Sequence, residues 1–277
     1  MLKNSYRRDP TAIHRIGEGF CFMKTIGFLL IVASLAVAQN PTLQKDRQVL
    51  FDFRKDRNTA QPAITKATER GVLSKVFRRY LPDSNRCNPN FDASSGSDPL
   101  AAARKAGEIV PSISAMATGS FTAAGQSQTL YVISVSECNA SHADNFGTKR
   151  VAIFSGQQLV ADLDVNFNQN IERKTDLNSD GIDELLMTGG DIHQGVVEEL
   201  ATLFSFQNGR VQVVYDFGFV VEDSCASLMP GSAAKVSVLY ISDVVPGSMP
   251  KFTMENYQAG CGKTKRWRLI SRGKMRV

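Results

Sequence analysis

Oxygen-bearing side chains alternate with other residues over Asp176-Leu177-Asn178-Ser179-Asp180, and Gly181 follows where the backbone must turn sharply. Carboxylate and amide oxygens at that spacing wrap several hard donors around one cation, which is the coordination that Ca²⁺ requires. Glu184, at the ninth position of the loop, adds a carboxylate from the start of the apolar run Leu185-Leu186-Met187. The expected ligands are the side chains of Asp176, Asn178, Asp180 and Glu184, with the carbonyl of Ile182. Asp183 is left to point outward or to support the shell from behind. Asn, Asp and Gly also dominate ordinary solvated turns, so the weight rests on the full ligand spacing around a central glycine.

An EF-hand would carry a glutamate at the twelfth loop position, where this chain has Met187. The loop therefore reads as a compact one that runs into a buried strand, not into a second helix. Asp162-Leu163-Asp164-Val165-Asn166 alternates oxygens in the same way, but Phe167 stands where glycine is needed, and this stretch reads as a polar strand exit. For acid–base chemistry at neutral pH, residues 39–277 offer His142 and His193. Each sits in a polar loop context, and the sequence contains no Gly-x-Ser-x-Gly elbow, phosphate loop or zinc-protease helix. Five protein ligands saturate much of a calcium shell, which favours a structural ion over a catalytic one.

These residues must be positioned by strands. After Pro111 the apolar pattern takes period two, and Thr129 to Ile133, Arg150 to Phe154 and Gln158 to Ala161 read as strands. Leu200 to Phe206 and Arg210 to Phe217 flank Asn208-Gly209, a strong hairpin signal. Lys235 to Ser242, Phe252 to Tyr257 and Arg266 to Ile270 follow. Residues 39–108 read as helical and irregular instead. Val72, Leu73, Val76, Phe77, Tyr80 and Leu81 form a helical stripe, with Thr68 as N-cap and Pro82 as the stop. Asp98-Pro99 then opens a second short helix.

The ends and the cysteines point to export. Met23-Lys24-Thr25 precedes the apolar run Ile26 to Ala38, which closes on the small-x-small signal Ala36-Val37-Ala38. Residues 23–38 are expected to be a signal peptide, and 1–22 an extension upstream of the true start. The run is shorter than the ~20 apolar residues of a membrane span, so no stable membrane insertion is expected after cleavage. Cys87, Cys138, Cys225 and Cys261 remain, an even number suited to two disulfides in a periplasmic or secreted protein. Sequential pairing, Cys87–Cys138 and Cys225–Cys261, is expected because each bridge would then tie neighbouring units. The formal charge of +5 falls to +2 once the five basic and two acidic residues of 1–38 are set aside. Acidic residues outnumber basic ones over 106–260, which suits a cation and argues against a nucleic-acid surface there.

Strand-starting leucines Leu130, Leu185 and Leu239 recur at steps of about 55 residues, a period expected of propeller blades or related arrays. With its D-x-N-x-D-G-x-x-E loop, the stretch from about Ala117 to Ile270 resembles the FG-GAP (integrin-α-type) repeats of bacterial secreted proteins. In that alignment the ligand positions become Phe121, Ala123, Gly125 and Thr129 in the first unit. In the third they become Pro230, Ser232, Ala234 and Val238, so only the second unit is expected to hold Ca²⁺. The expected architecture is mainly β, with about three blade-like repeats over 109–277 behind a short helical N-terminal segment. The resemblance implies an exported, non-catalytic interaction module with a protein or glycan partner. A metal-assisted hydrolase or lyase acting on polysaccharide is the alternative.

Overall fold

The computed structural model describes residues 47–55, 63–77, 110–136, 149–166, 168–227 and 230–274. The upstream extension, the signal peptide, the Pro99 helix, the Cys87–Cys138 bridge and His142 lie outside them. In chain order the elements are β1 (Gln48–Asp52), α1 (Lys66–Val76), β2 (Val110–Gly119), β3 (Gln128–Ser136), β4 (Lys149–Ser155) and β5 (Gln158–Asp164). Then come β6 (Asn170–Thr175), β7 (Glu184–His193), β8 (Val196–Ser205), β9 (Gln212–Asp223), β10 (Ala233–Ser242), β11 (Lys251–Gly260) and β12 (Arg268–Lys274). The protein is mainly β.

All pairings are antiparallel. β2-β3-β4-β5 form one sheet, and β6 through β12 form a second to which β1 adds on β10. β9 meets β10 only through Val221 to Asp223, while the distal half of β10 pairs with β1. The sheets thus resolve into three meanders, β2–β5, β6–β9 and β10–β12, the third widened by β1. They stack in file. Leu130, Val132, Val151 and Ile153 of the first pack on Leu185, Met187 and Phe204 of the second. From the other face of the second, Leu186 and Leu203 pack with Leu239, Ile241 and Phe252 of the third. Burial on both faces explains why β4 and β7 carry the continuous apolar runs Val151 to Phe154 and Leu185 to Met187 rather than alternating ones. Neither cluster joins the first meander to the third.

α1 covers the outer face of the first meander, where Val72 and Leu73 meet Ile133, Ala152 and Phe154. Its N-cap is Thr65, whose hydroxyl accepts the Thr68 N–H, so the expected cap at Thr68 moves three residues upstream. The helix stops at Val76, before the end of its apolar stripe: Phe77 is already extended, and its N–H closes the last turn on the Leu73 carbonyl.

β1 corrects the reading of 39–108 as helical and irregular. Five residues with one fully buried side chain carry little periodic signal, and the strand exists because β10 offers it an edge. Side chains beside it then fix it. Arg47 pairs with the buried Glu255 at 2.9 Å and lies over the Tyr240 ring. Arg173 of β6 donates to the carbonyl of Leu50 at 2.6 Å. Tyr240 and Tyr257 donate to the other Glu255 oxygen at 3.0 and 2.7 Å. Burial pushes the Glu255 carboxyl up, but the bonds from Tyr257, Arg47 and Tyr240 outweigh it and hold it below the usual range.

Between β8 and β9, Asn208 and Gly209 both take positive φ, and the Arg210 N–H closes on the Gln207 carbonyl at 3.2 Å. This is the turn that Asn-Gly specifies. Cys225 and Cys261 form a disulfide with Cα atoms 5.2 Å apart, joining the β9–β10 turn to the β11–β12 connection. Among the described residues no helix is long and apolar enough to cross a membrane.

Candidate metal site

The six-residue strand β6 and the start of β7 hold the candidate loop between the pair Thr175↔Glu184. Leu177 and Ile182 are buried and anchor it, so the intervening polar side chains are directed outward. Asp176 accepts the Gly181 N–H at 2.9 Å and the Asp180 N–H at 3.2 Å, and Asp180 accepts the Ile182 N–H at 2.8 Å. The Asn178 amide donates to Asp180 at 3.0 Å, and its oxygen accepts the Asp180 N–H at 3.2 Å. Ser179 and Gly181 both have positive φ, 58° and 82°. Gly181 is required there, since a Cβ would also meet Ala124 at 3.0 Å.

Glu184 is the unusual member. Its side chain is 1 % exposed and its Oε2 accepts the Leu177 N–H at 3.0 Å. Burial raises its pKa to about 7, the neighbouring Asp180 and Asp176 add to the rise, and the Leu177 N–H opposes it. A buried carboxylate beside two others calls for positive charge. The donors are all oxygen, which fits a hard cation. They do not yet form a closed cage, because among the described residues no three His, Cys, Asp or Glu side chains converge closely enough to hold a metal. The oxygens are instead turned onto the loop's own N–H groups.

Two other turns have the same length. Gly119↔Gln128 and Ser242↔Lys251 each close eight residues, as Thr175↔Glu184 does. Counted from these closing pairs, the turns line up differently from the alignment expected from sequence. The first unit shifts by one residue, so that Ser120, Thr122, Ala124 and Gln128 stand at the positions of Asp176, Asn178, Asp180 and Glu184. Gly125 then matches Gly181, and both have positive φ. The third unit moves to the next turn, with Asp243, Val245, Gly247 and Lys251 at those positions. Phe252 replaces Leu239 as the counterpart of Leu185. Pairing of the two strands that flank each turn fixes this register. The shared glycine of Ser120-Phe121-Thr122-Ala123-Ala124-Gly125 and Asp176-Leu177-Asn178-Ser179-Asp180-Gly181 was the signal that could have revealed the first-unit shift.

Each turn fills the equivalent position differently. In the first, the Gln128 amide is buried. Its oxygen accepts the Phe121 and Thr122 N–H groups at 2.8 and 2.9 Å, as Glu184 accepts from Leu177. Its NH₂ then donates to Thr122 Oγ1 at 2.6 Å and Gln126 Oε1 at 3.0 Å. In the third, the Lys251 ammonium pairs with Asp243 at 2.7 Å in solvent. The first turn thus supplies amide hydrogens and the third a lysine. The second carries a carboxylate, which has no hydrogen to give at the pH where it is ionised. Gln128, Asp243 and Lys251 were not legible as site residues, because none is a ligand type at ligand spacing.

Asp183 bonds to the first of these turns. Its Oδ2 accepts the Ser120 N–H at 2.8 Å, and its own N–H donates to the Ser120 carbonyl at 2.7 Å. The Asp162–Asn166 stretch is engaged as a strand exit: Asp162 pairs with Arg150 at 2.8 Å and Asp164 accepts the Asn166 N–H at 2.8 Å. His193 ends β7 in an exposed position, more than one turn removed in sequence from the loop. No protein-family model, curated protein or solved structure matches the chain.

Proposed function

We propose that this protein is an exported, non-catalytic interaction module of the FG-GAP-like type whose second repeat holds one structural Ca²⁺. Asp176, Asn178, Asp180, Glu184 and the Ile182 carbonyl would hold the ion. Bound there, it would supply the positive charge that the third turn obtains from Lys251, where the first turn carries only a neutral amide. The observation that carries the reading is Glu184: a carboxylate buried to 1 % exposure beside Asp180 and Asp176, where the equivalent turn places a neutral, fully hydrogen-bonded amide. The Cys225–Cys261 disulfide suits an oxidising compartment outside the cytoplasm. The partner class is protein or glycan, met by loops that the stacked meanders present.

Extracellular calcium modules bind with Kd of ~10⁻⁴–10⁻³ M, and titration calorimetry on the mature protein should give a single site in that range. Capture of a protein or glycan partner in calcium, and its loss in chelator, supports the interaction role. Absence of calcium heat together with superimposable melts in calcium and chelator removes the metal. Turnover of a polysaccharide panel that depends on His193 or a loop carboxylate would replace the module with a hydrolase or lyase.

A further inference from the structure

Resting on that calcium reading, we propose that occupancy of the 176–184 turn is transmitted through the backbone to the equivalent turns of the first and third meanders, so that Ca²⁺ fixes the three meanders relative to one another. The second turn is docked on both neighbours by the residues that form its coordinating arc. Asn178, an expected side-chain ligand, uses its carbonyl to accept the Gly247 N–H at 2.5 Å. Asp183, between the ligand positions Ile182 and Glu184, makes the two reciprocal bonds to Ser120. That contact is close: a Cβ on Gly119 would lie 2.3 Å from Asp183 Oδ2. Gly181 sits against Ala124 in the same junction, and the Thr122 carbonyl accepts the Asn208 N–H of the β8–β9 turn at 2.8 Å.

The charges in the turn make this junction conditional. Asp176, Asp180, Asp183 and Glu184 crowd four carboxyl groups into nine residues, and Lys174 reaches Asp183 at 3.5 Å. Repulsion among them spreads the turn, and the bonds it shares with Ser120 and Gly247 open with it. A bound cation draws the ligand oxygens inward and holds the Asn178 and Asp183 backbone in place. Among the described residues no apolar cluster joins the first meander to the third, so these turn contacts are where the ion can couple them.

Hydrogen exchange followed by mass spectrometry on the full mature chain, in chelator and across a calcium titration, tests this. Peptides covering 119–128 and 242–251 should slow together with 175–184, each by fivefold or more, and at the same half-saturating calcium concentration. Asp183→Ala, which is not a ligand, should keep the slowing at 242–251 and lose it at 119–128. Gly119→Ala disturbs the same contact from the other side and should give the same pattern if Asp183→Ala does not fold. Slowing confined to 175–184 overturns the coupling and leaves the calcium site standing. Calcium-independent exchange in all three peptides, with no calorimetric heat, overturns both.

Discussion

Replacing Glu184 with glutamine should make the calcium-free protein more stable and the calcium-loaded protein less stable than the parent. The folded carboxyl has a pKa of about 7 against an ordinary value of 4.5, raised by burial and by Asp180 and Asp176. Because the folded group is the weaker acid, the folded state binds more protons between those values, and stability in chelator falls as pH rises through that window. At ~1.36 kcal/mol per pH unit the full loss is about 3 kcal/mol, and screening by water at this partly solvated loop reduces it to roughly 2 kcal/mol. Glu184→Gln keeps the acceptor for the Leu177 N–H and adds the hydrogens that Gln128 uses in the first turn. In chelator above pH 8 the variant should therefore melt about 5 °C higher, since ~1 kcal/mol shifts Tm by about 2–4 °C in a domain of this size. Near pH 5 the two melts should converge, because the parent is then protonated. In excess calcium the order should invert. A variant that melts below the parent in chelator at high pH refutes the reasoning, because Glu184 would then be a well-compensated charge.

Other substitutions probe separate parts of the account. Asp180→Ala should abolish the calcium-dependent rise in Tm, whereas Asp164→Ala should leave it intact, read by thermal melts in calcium and chelator. Gln128→Ala strands the buried Phe121 N–H and the half-buried Thr122 N–H, and urea unfolding should show a loss of about 2–4 kcal/mol that calcium does not restore. Opening the Cys225–Cys261 bridge by a double serine substitution releases a loop of 36 residues, for which chain entropy gives up to about 4 kcal/mol. Non-reducing mass mapping of the same protein should find Cys87 joined to Cys138. Tyr257→Phe removes a 2.7 Å bond to the Glu255 carboxylate and should cost about 1.5–3 kcal/mol at neutral pH. Glu255 is held below its usual pKa, so its contribution is present at neutral pH and is lost in acid, opposite in sign to that of Glu184.

What the sequence alone determined was local. The strands over Leu130 to Ile133 and Lys235 to Ser242 and the Asn208-Gly209 turn depend on residues within a few positions of one another, and each took the expected form. Tertiary structure decided the rest. β1 is a strand because β10 has a free edge and because Glu255, through Arg47, and Arg173 hold it from far along the chain. Its own five residues barely encode it. The repeat register was set by the closing pairs Gly119↔Gln128 and Ser242↔Lys251, which shifted one unit by a single residue and moved another to the next turn. Burial of Glu184 and Gln128 likewise followed from the stacking of meanders, and burial is what pushes the Glu184 carboxyl up to about 7. The oxygen-bearing residue types are written in one loop, but the burial that raises the Glu184 pKa arises only once the chain has packed.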